Sequence, residues 1–363
     1  KDSTMRPTPN AQRPTPNLDS CPKSDDIIHV AMCVYDPSGT YSQHTGVAMT
    51  SIFENTHSKV TVHILHDDTL TEDNRQKFLR TAEKYSQSIE FYDVTEYRDR
   101  ISQDVKDFLM NSYTVGTLYK LAIYEFLPLD KVIYLDGDIL VNLDIRELWE
   151  IDTEDNYLAG VIDDITSLAK NRPLSFWYIA CRMNGNLPET HINAGVLVMN
   201  LKKIRNRGDF FSEAMRYAVD NLYTYRSGDQ KVFNALFFGK IKIISNKFNR
   251  QLWNADDDLA ESIIHLNLRK SWKFAPKMYA DRLYWKMYFR SAWGENITSD
   301  EFVDIFADIN VADTNFLHHS YRQCIKRLLH GVWRRVNLSE LRSIVALIAR
   351  YIKHKIKKRF TRS

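Results

Sequence analysis

Lys131-Val-Ile-Tyr-Leu-Asp-Gly-Asp-Ile-Leu-Val141 is the stretch that decides the fold, because an apolar run leads directly into Asp136-Gly137-Asp138 and continues beyond it. An all-apolar run of this length is typical of a strand buried on both faces of a parallel sheet. Two carboxylates after such a strand need partners, since burying unpaired charge is costly. Ligands of open α/β sheets bind outside the carboxyl ends of strands. The stretch therefore indicates a binding site for a hard divalent cation. The alternative is a turn that carries two solvated Asp.

The composition is that of a folded soluble protein, with 363 residues, 44% hydrophobic and 26% charged. The length accommodates one large domain or two ordinary ones. No apolar run is long enough to span a bilayer, and no signal-peptide pattern is present. The four cysteines (Cys21, Cys33, Cys181 and Cys324) form no C-x-x-C pair. This usage argues against a disulfide framework or a structural zinc site and predicts a cytoplasmic protein.

The charge is distributed unevenly along the chain. From Arg322 to the end there are 13 Lys and Arg against the single acid Glu340, whereas the whole chain carries a net charge of only +3. The chain before Arg322 must therefore be net acidic, whereas the tail after it is basic. The tail places aliphatic residues at helical spacing among the cations, with Trp333 nearby, which favours binding to an anionic membrane surface. The charge alone would also suit nucleic-acid binding. A third possibility is that the tail forms a helix that packs on its own domain.

Strands and helices alternate before the deciding stretch. Apolar runs predict strands at 27–35, 59–65 and 89–94, and amphipathic or apolar patterns predict helices near 45–55, behind Thr69 and near 116–126. Thr69 and Glu72 have the spacing of a capping box. This alternation predicts an α/β fold with a mostly parallel, Rossmann-like central sheet flanked by helices. No G-x-G and no P-loop occurs, so any nucleotide phosphates must be neutralised by metal and side chains.

Three further blocks of polar residues follow the deciding stretch in order. They are Asn193-Ala-Gly195 at a buried strand, Asp229-Gln230 at the start of an amphipathic helix, and His265 at a strand end with Lys270 and Trp272 behind it. Each block alone is more often a turn, a helix cap or a structural histidine. Asp163 and Asp164 end another apolar run and are either candidates for orienting an acceptor or solvated loop carboxylates.

Together and in this order, the blocks resemble glycosyltransferase family 8, which includes bacterial lipopolysaccharide galactosyl- and glucosyltransferases. The resemblance covers roughly residues 27–290. It implies a GT-A fold, a UDP-sugar donor, Mn²⁺ with Mg²⁺ as the alternative, and transfer of a hexose with retention of anomeric configuration. The predicted organisation is a disordered leader at 1–25, a GT-A catalytic domain at 26–290 and a helical C-terminal region at 291–363 that ends in the basic membrane-associating tail.

The resemblance also assigns roles to residues at matching positions. Asp136, Asp138 and His265 would hold the metal. Asn193 and Asp229 would hold the donor sugar, and Gln230 would lie near the anomeric carbon. The remaining donor-binding candidates are Ala31, Asp36 and Tyr41 around the loop after the first strand, Lys120, Asp136 and Asp138, and Lys270 at the diphosphate.

Two departures from the family pattern affect donor binding. The block His265-Leu-Asn-Leu-Arg-Lys-Ser-Trp272 is one residue shorter than the family's and lacks its Gly and Pro, so Arg269 or Lys270 could meet the diphosphate. Lys120 stands where the family usually has Arg, which keeps the charge but loses the bidentate fork.

The expected activity is transfer of glucose or galactose from its UDP-sugar to a bacterial surface glycan at the inner face of the cell membrane. The acceptor would be lipopolysaccharide, capsule or a glycoprotein. Gln230 is a poor nucleophile, which favours front-face displacement over a covalent intermediate. Two other functions stay open: a sugar nucleotidyltransferase, although the loop at 36–41 lacks Lys and Arg, and a non-catalytic carbohydrate- or membrane-binding protein on the same scaffold.

Overall fold

A computed structural model describes residues 27–109, 114–163, 191–220, 228–251, 259–267, 269–274, 276, 278–295 and 297–298. The predicted leader, the basic tail and Asp164 lie outside the described residues. Among the described residues, no helix combines the length and the apolar composition that crossing a membrane requires.

A seven-stranded sheet forms the centre of the molecule, in the order β3-β2-β1-β4-β7-β6-β8. Its strands are β1 (Ile28–Val34), β2 (Val60–His66), β3 (Ser88–Asp93), β4 (Lys131–Leu135), β6 (Leu158–Ile162), β7 (Ile192–Asn200) and β8 (Ile241–Ile243). Neighbouring strands are parallel except that β7 runs antiparallel to both β4 and β6. The predicted α/β fold with a mostly parallel sheet is therefore confirmed.

A second sheet of three strands lies beside the first, in the order β5-β10-β9. Its strands are β5 (Ile139–Val141), β9 (Arg250–Gln251) and β10 (Ile263–His265). The stretch 131–141, which reads as one apolar run, is thus two strands in two different sheets. The turn Asp136-Gly137-Asp138 carries the chain from one sheet to the other, so that both carboxylates lie where the sheets meet.

Helices cover the sheets and are numbered in chain order. They are α1 (Tyr41–Asn55), α2 (Glu72–Lys84), α3 (Thr95–Arg100), α4 (Gln103–Leu109), α5 (Ile123–Phe126), α6 (Arg146–Trp149), α7 (Leu201–Asn206), α8 (Phe210–Asp220), α9 (Asp229–Leu236) and α10 (Tyr279–Tyr288). Short 3₁₀ helices span Val115–Ala122, Asn246–Phe248 and Ser271–Lys273. The helix predicted over 116–126 is therefore mostly a 3₁₀ helix, with α-helical geometry only in its last turn.

The central strands read as continuous apolar runs because both faces of the sheet are covered. Val30 and Met32 of β1 pack into one core with α1 and α2, whereas Ala31 and Cys33 pack into the opposite core with α8 and α9. This alternation follows from the two-residue period of a strand. A third core joins α1 and α10 to the small sheet.

The capping box predicted at Thr69 is wrong, because the helix begins two residues later. Thr71 is the N-cap of α2, and its side chain accepts a hydrogen bond from the Asn74 N–H. Thr69 instead bonds to Asp67 and accepts the Asp36 N–H at 2.7 Å. It therefore holds the loop that follows β1 rather than the helix.

Candidate functional site

The turn between β4 and β5 is anchored at both ends by backbone hydrogen bonds. The Asp136 N–H donates to the Gly195 carbonyl of β7 at 2.9 Å, and the Leu266 N–H donates to the Asp138 carbonyl at 2.9 Å. Gly137 between them fits closely against α1, since a Cβ there would lie 2.4 Å from the Thr45 hydroxyl oxygen. The two carboxylates are thus fixed relative to β7 and β10.

Asp136, Asp138 and His265 converge as predicted, with one potential ligand atom from each within 4.8 Å of the others. His265 Nε2 lies 3.4 Å from Asp138 Oδ1 and 3.8 Å from Asp136 Oδ2. Asp138 and His265 are buried, whereas the Asp136 side chain is 28% exposed. Two carboxylates and an imidazole form a mixed oxygen and nitrogen donor set that suits Mn²⁺. The alternative of two solvated Asp in a turn is wrong.

The imidazole of His265 is oriented by amides behind it. Its Nδ1 lies 3.0 Å from Asn249 Oδ1, and Asn249 Nδ2 donates to Asn193 Oδ1 at 2.9 Å. The Nδ1–H tautomer satisfies this chain of bonds and leaves the Nε2 lone pair facing the carboxylates.

Gly195 allows β7 to approach the candidate metal site closely. A Cβ at this position would lie 2.2 Å from His265 Cε1 and 2.9 Å from Asp136 Oδ2. Any side chain would therefore push apart two of the three potential ligands. The sequence pattern Asn193-Ala-Gly195 thus has a steric reason in the structure.

Lys270 lies against the buried carboxylate of Asp138, to which it donates a hydrogen bond. Burial alone would raise the pKa of Asp138, but the positive charge of Lys270 outweighs burial and holds that pKa well below its usual range. Asp138 is therefore ionised at neutral pH. Arg269, the other candidate for the diphosphate, pairs instead with Asp281 at 2.8 Å.

Lys120 is buried between two predicted site residues. Its Nζ lies 3.0 Å from Asp136 Oδ1, 2.8 Å from Asp229 Oδ2 and 3.1 Å from the Ala194 carbonyl. Burial would lower the pKa of Lys120, but the two carboxylates outweigh it and raise it above its usual value. Burial raises the pKa of Asp229 to about 6, partly offset by Lys120. All three side chains are thus held in one ionic cluster.

Gln230 lies next to Asn193, as the predicted site requires. Its Oε1 accepts bonds from Asn193 Nδ2 at 3.2 Å and the Ala194 N–H at 3.3 Å. Its Nε2 donates to Asp163 Oδ2 at 2.7 Å. Asp163 is only 6% exposed, so its interpretation as a solvated loop carboxylate is wrong.

The predicted uridine-binding residues lie in different settings. Ala31 is not in the loop, because it sits inside β1 with its side chain in the core. The Asp36 carboxylate is buried and accepts the Tyr41 N–H, the Ser42 N–H and the Ser42 hydroxyl, so it fixes the start of α1. Tyr41 begins α1, and its hydroxyl lies close to Gly137.

Sequence reasoning missed Asn249 and His191. Asn249 connects His265 to Asn193, yet it follows a short 3₁₀ helix that carries no periodic signal. His191 precedes β7, and its Nε2 lies 3.0 Å from Gln230 Nε2. The position of His191 two residues before Asn193 was the one available signal.

The fold and the site define an α/β protein with a candidate metal centre where the carboxyl end of β4 meets a second sheet. The model of glycosyl transferase family 8 matches residues 32–275. The chain belongs to glycosyl transferase family 8.

This chain matches only part of the length of its named relatives. A lipopolysaccharide 1,2-glucosyltransferase of Escherichia coli is 27% identical over 217 residues, 58% of this chain and 59% of the relative. A lipopolysaccharide 1,3-galactosyltransferase of Salmonella typhimurium is 23% identical over 227 residues, 61% of this chain and 63% of the relative. The chain thus spans about three fifths of these relatives.

A solved structure of the galactosyltransferase LgtC, in complex with donor and acceptor sugar analogues, has a similar fold. It superposes with a TM-score of 0.60 at 21% identity, covering 75% of this chain and 98% of that one. The likeness supports the α/β architecture.

Proposed function

We propose that this protein is a retaining, metal-dependent glycosyltransferase that moves a hexose from a UDP-sugar to a saccharide acceptor. The observation that carries the proposal is the convergence of Asp136, Asp138 and His265 beside Asn193 and Gln230. Glucose and galactose are the two donor sugars that the named relatives support, one a glucosyltransferase and the other a galactosyltransferase.

The residues present fit a divalent cation. The donor atoms come from two carboxylates and an imidazole, and Gly195 leaves the space that a side chain would take from them. Asp136, Asp138 and His265 would hold Mn²⁺, or Mg²⁺ as the alternative. When bound, such an ion acts as a Lewis acid for the departing diphosphate. Lys270, beside Asp138, adds positive charge for the same leaving group.

Retention by front-face displacement agrees with the contacts of the site's polar residues. The Asp229 carboxylate is paired with Lys120, and Gln230 has no carboxylate with which to form a covalent intermediate. In the proposed step, the acceptor oxygen bonds to the anomeric carbon on the face from which the phosphate leaves. The acceptor's proton passes to the departing phosphate oxygen. Trapping a covalent glycosyl-enzyme on Asp229 would overturn this step.

Front-face displacement passes through a cationic sugar ring, but the amide oxygen of Gln230 already accepts two hydrogen bonds and would not stabilise that ring. Both acceptor positions of Gln230 Oε1 are occupied, one by Asn193 Nδ2 and the other by the Ala194 N–H. We infer that Gln230 supports the donor-sugar site by fixing Asn193 and the β7 backbone. Asp163, which holds Gln230, supports this site instead of an acceptor.

The wider setting of the reaction is part of the proposal. The acceptor would be a bacterial surface glycan, namely lipopolysaccharide, capsule or a glycoprotein. The enzyme would work in the cytoplasm at the inner membrane face, bound through the basic tail after Arg322, with its catalytic domain ending near residue 290. Binding to anionic vesicles by the full chain, compared with a chain truncated before Arg322, tests the membrane role. Equal sedimentation of the two would contradict it.

UDP release from a panel of UDP-sugars tests the activity, with Mn²⁺ and with EDTA. We expect slow, Mn²⁺-dependent hydrolysis of UDP-glucose or UDP-galactose by the wild type and its loss in Asp138→Ala. Asp155→Ala is the matched control, because that side chain is 95% exposed and does not belong to the candidate ligand cluster. No hydrolysis and no Mn²⁺-dependent UDP binding would favour the non-catalytic scaffold. Release of pyrophosphate from UTP and a sugar phosphate would favour the nucleotidyltransferase.

A further inference from the structure

The carboxamide of Gln230 is held by four groups on two sides. On one side, Nε2 donates to Asp163 Oδ2 at 2.7 Å and meets His191 Nε2 at 3.0 Å. On the other, Oε1 accepts from Asn193 Nδ2 and the Ala194 N–H. A primary amide has two N–H donors and one oxygen with two acceptor positions. Every hydrogen-bonding position of this side chain is therefore occupied.

His191 contributes to this arrangement as an acceptor. A donor nitrogen of Gln230 needs a lone pair at His191 Nε2, so the imidazole must be neutral with its proton on Nδ1. The side chain is 3% exposed, and burial lowers the pKa of His191. The charged groups that act on it are Asp163, at the end of β6, which raises that pKa, and Lys231 of α9, which lowers it.

Two acceptors on one side leave only one orientation for the amide. Turning the carboxamide over would place Oε1 against the Asp163 carboxylate and Nε2 against the Ala194 N–H, so that like groups would face each other at both ends. A protonated His191 would present an N–H to Gln230 Nε2, and the bond between them would be lost.

We propose that His191 is a positioning residue that, together with Asp163, fixes the orientation of the Gln230 carboxamide, and that this hold is weakened when the imidazole gains a proton. The catalytic consequence rests on the proposed function. Gln230 in turn holds Asn193 and the start of β7, which are the residues proposed to meet the donor sugar.

The side-chain NH₂ signals of Gln230 report its orientation directly. They can be observed in ¹⁵N-glutamine-labelled full-length protein and assigned by their loss in Gln230→Met. The informative variants are His191→Gln, whose amide oxygen can replace Nε2 as an acceptor that does not titrate, and His191→Phe, which has no acceptor. His57→Phe, at an exposed position, is the control. Protonation of His191 is followed by its ¹³Cε1 signal.

We expect the wild-type Gln230 signals to move together with the His191 titration. Those of His191→Gln should stay at the wild-type high-pH position between pH 5.5 and 8, and those of His191→Phe should be displaced at every pH. Gln230 signals in His191→Phe that match the wild type would overturn the proposal. If that variant does not fold, a wild-type pH response that persists unchanged in His191→Gln would overturn it instead.

Donor hydrolysis supplies a second readout. His191→Phe should lower kcat by about tenfold to 100-fold, because displacing a positioning group by about 1 Å can cost this much. KM for the donor should change little, and His191→Gln should recover most of the rate. Equal kcat in His191→Phe and the wild type would contradict the positioning role. A wild type that hydrolyses no donor would refute the proposed function, while the Gln230 signals would still decide this inference.

Discussion

Lys120 Nζ lies 2.8 Å from Asp229 Oδ2, and both side chains are buried, with 2% and 7% of their surfaces exposed. Lys120 also bonds to Asp136, so one cation neutralises part of the charge of two carboxylates. Such a pair adds little net stability by itself, but removing one partner leaves an uncompensated buried charge. The two ends of the pair should therefore respond differently to substitution.

Lys120→Met is expected to lower the free energy of unfolding by about 3–5 kcal/mol, because it leaves two carboxylates without their cation. Asp229→Asn should cost less, since Lys120 keeps its bonds to Asp136 and to the Ala194 carbonyl. Urea unfolding at pH 7.5 measures both. Lys202→Met is the control, because Lys202 and its partner Asp130 are 66% and 70% exposed. Equal losses in Lys120→Met and Lys202→Met would refute this account.

Gly195→Ala should weaken Mn²⁺ binding while the protein stays folded. The added Cβ would meet His265 and Asp136, and displacing them spoils the ligand geometry. A loss of at least about tenfold in affinity is expected, by analogy with the effect of disturbing groups that orient metal ligands. Isothermal titration calorimetry measures the affinity.

Gly239→Ala is the control for that substitution. Gly239 has a φ of +72° and nothing within 4 Å of its added Cβ, so alanine there strains only the backbone. It should lower the melting temperature and leave Mn²⁺ affinity unchanged. Similar Mn²⁺ affinities in both variants would contradict the steric role of Gly195.

Asn249→Ala removes the group that orients the His265 imidazole. The change should reduce Mn²⁺ affinity by about tenfold to 100-fold, as is typical for the partners of metal-binding histidines. Asn246→Ala makes the same substitution three residues away at an exposed position and should leave the affinity unchanged. Manganese electron paramagnetic resonance measures free and bound ion in both. Retention of full affinity in Asn249→Ala would show that His265 needs no such support.

His44 should make the fold less stable in acid. Its Nδ1 lies 2.7 Å from the Tyr284 hydroxyl, its ring stacks on Trp272, and burial lowers the pKa of His44 to about 3, with Lys270 acting in the same direction. An unfolded histidine titrates near pH 6.5. Between these two values the unfolded chain binds a proton that the folded chain does not, so the contribution of His44 falls as the pH falls.

His44→Phe separates this effect from those of the other histidines. The variant should be less stable than the wild type at pH 7.5, because the Tyr284 hydroxyl loses its partner. The difference should shrink below pH 6.5, by up to about 1.4 kcal/mol per pH unit. Urea unfolding from pH 7.5 to 5 measures it, with His57→Phe as the exposed control. A difference that stays constant over this range would count against a neutral, buried His44.

Strand positions were predictable because burial on both faces makes the central strands nearly all apolar, as in β1 and β4. The split of 131–141 between two sheets was not predictable, since Ile139–Val141 is as apolar as the strand before it. Likewise, the antiparallel direction of β7 was not predictable, because no residue pattern within Ile192–Asn200 encodes it.

The convergence of Asp136 and Asp138 was predictable because acids at the ends of apolar runs need a reason to be there. Asn249 and His191 were not, because they act through contacts with other side chains and lie outside any periodic segment. Lys120 was expected to face a donor. Its burial between Asp136 and Asp229 depends on three segments meeting in space, which sequence spacing does not encode.

The passage of the chain from one sheet to the other at Gly137 has a mechanical consequence. Asp136 belongs to the end of the seven-stranded sheet, whereas Asp138 and His265 belong to the three-stranded one. A cation held by all three residues would cross-link the two sheets, because its ligands would come from both of them. Amide hydrogens of β5 and β10 should therefore exchange more slowly once the cation is bound.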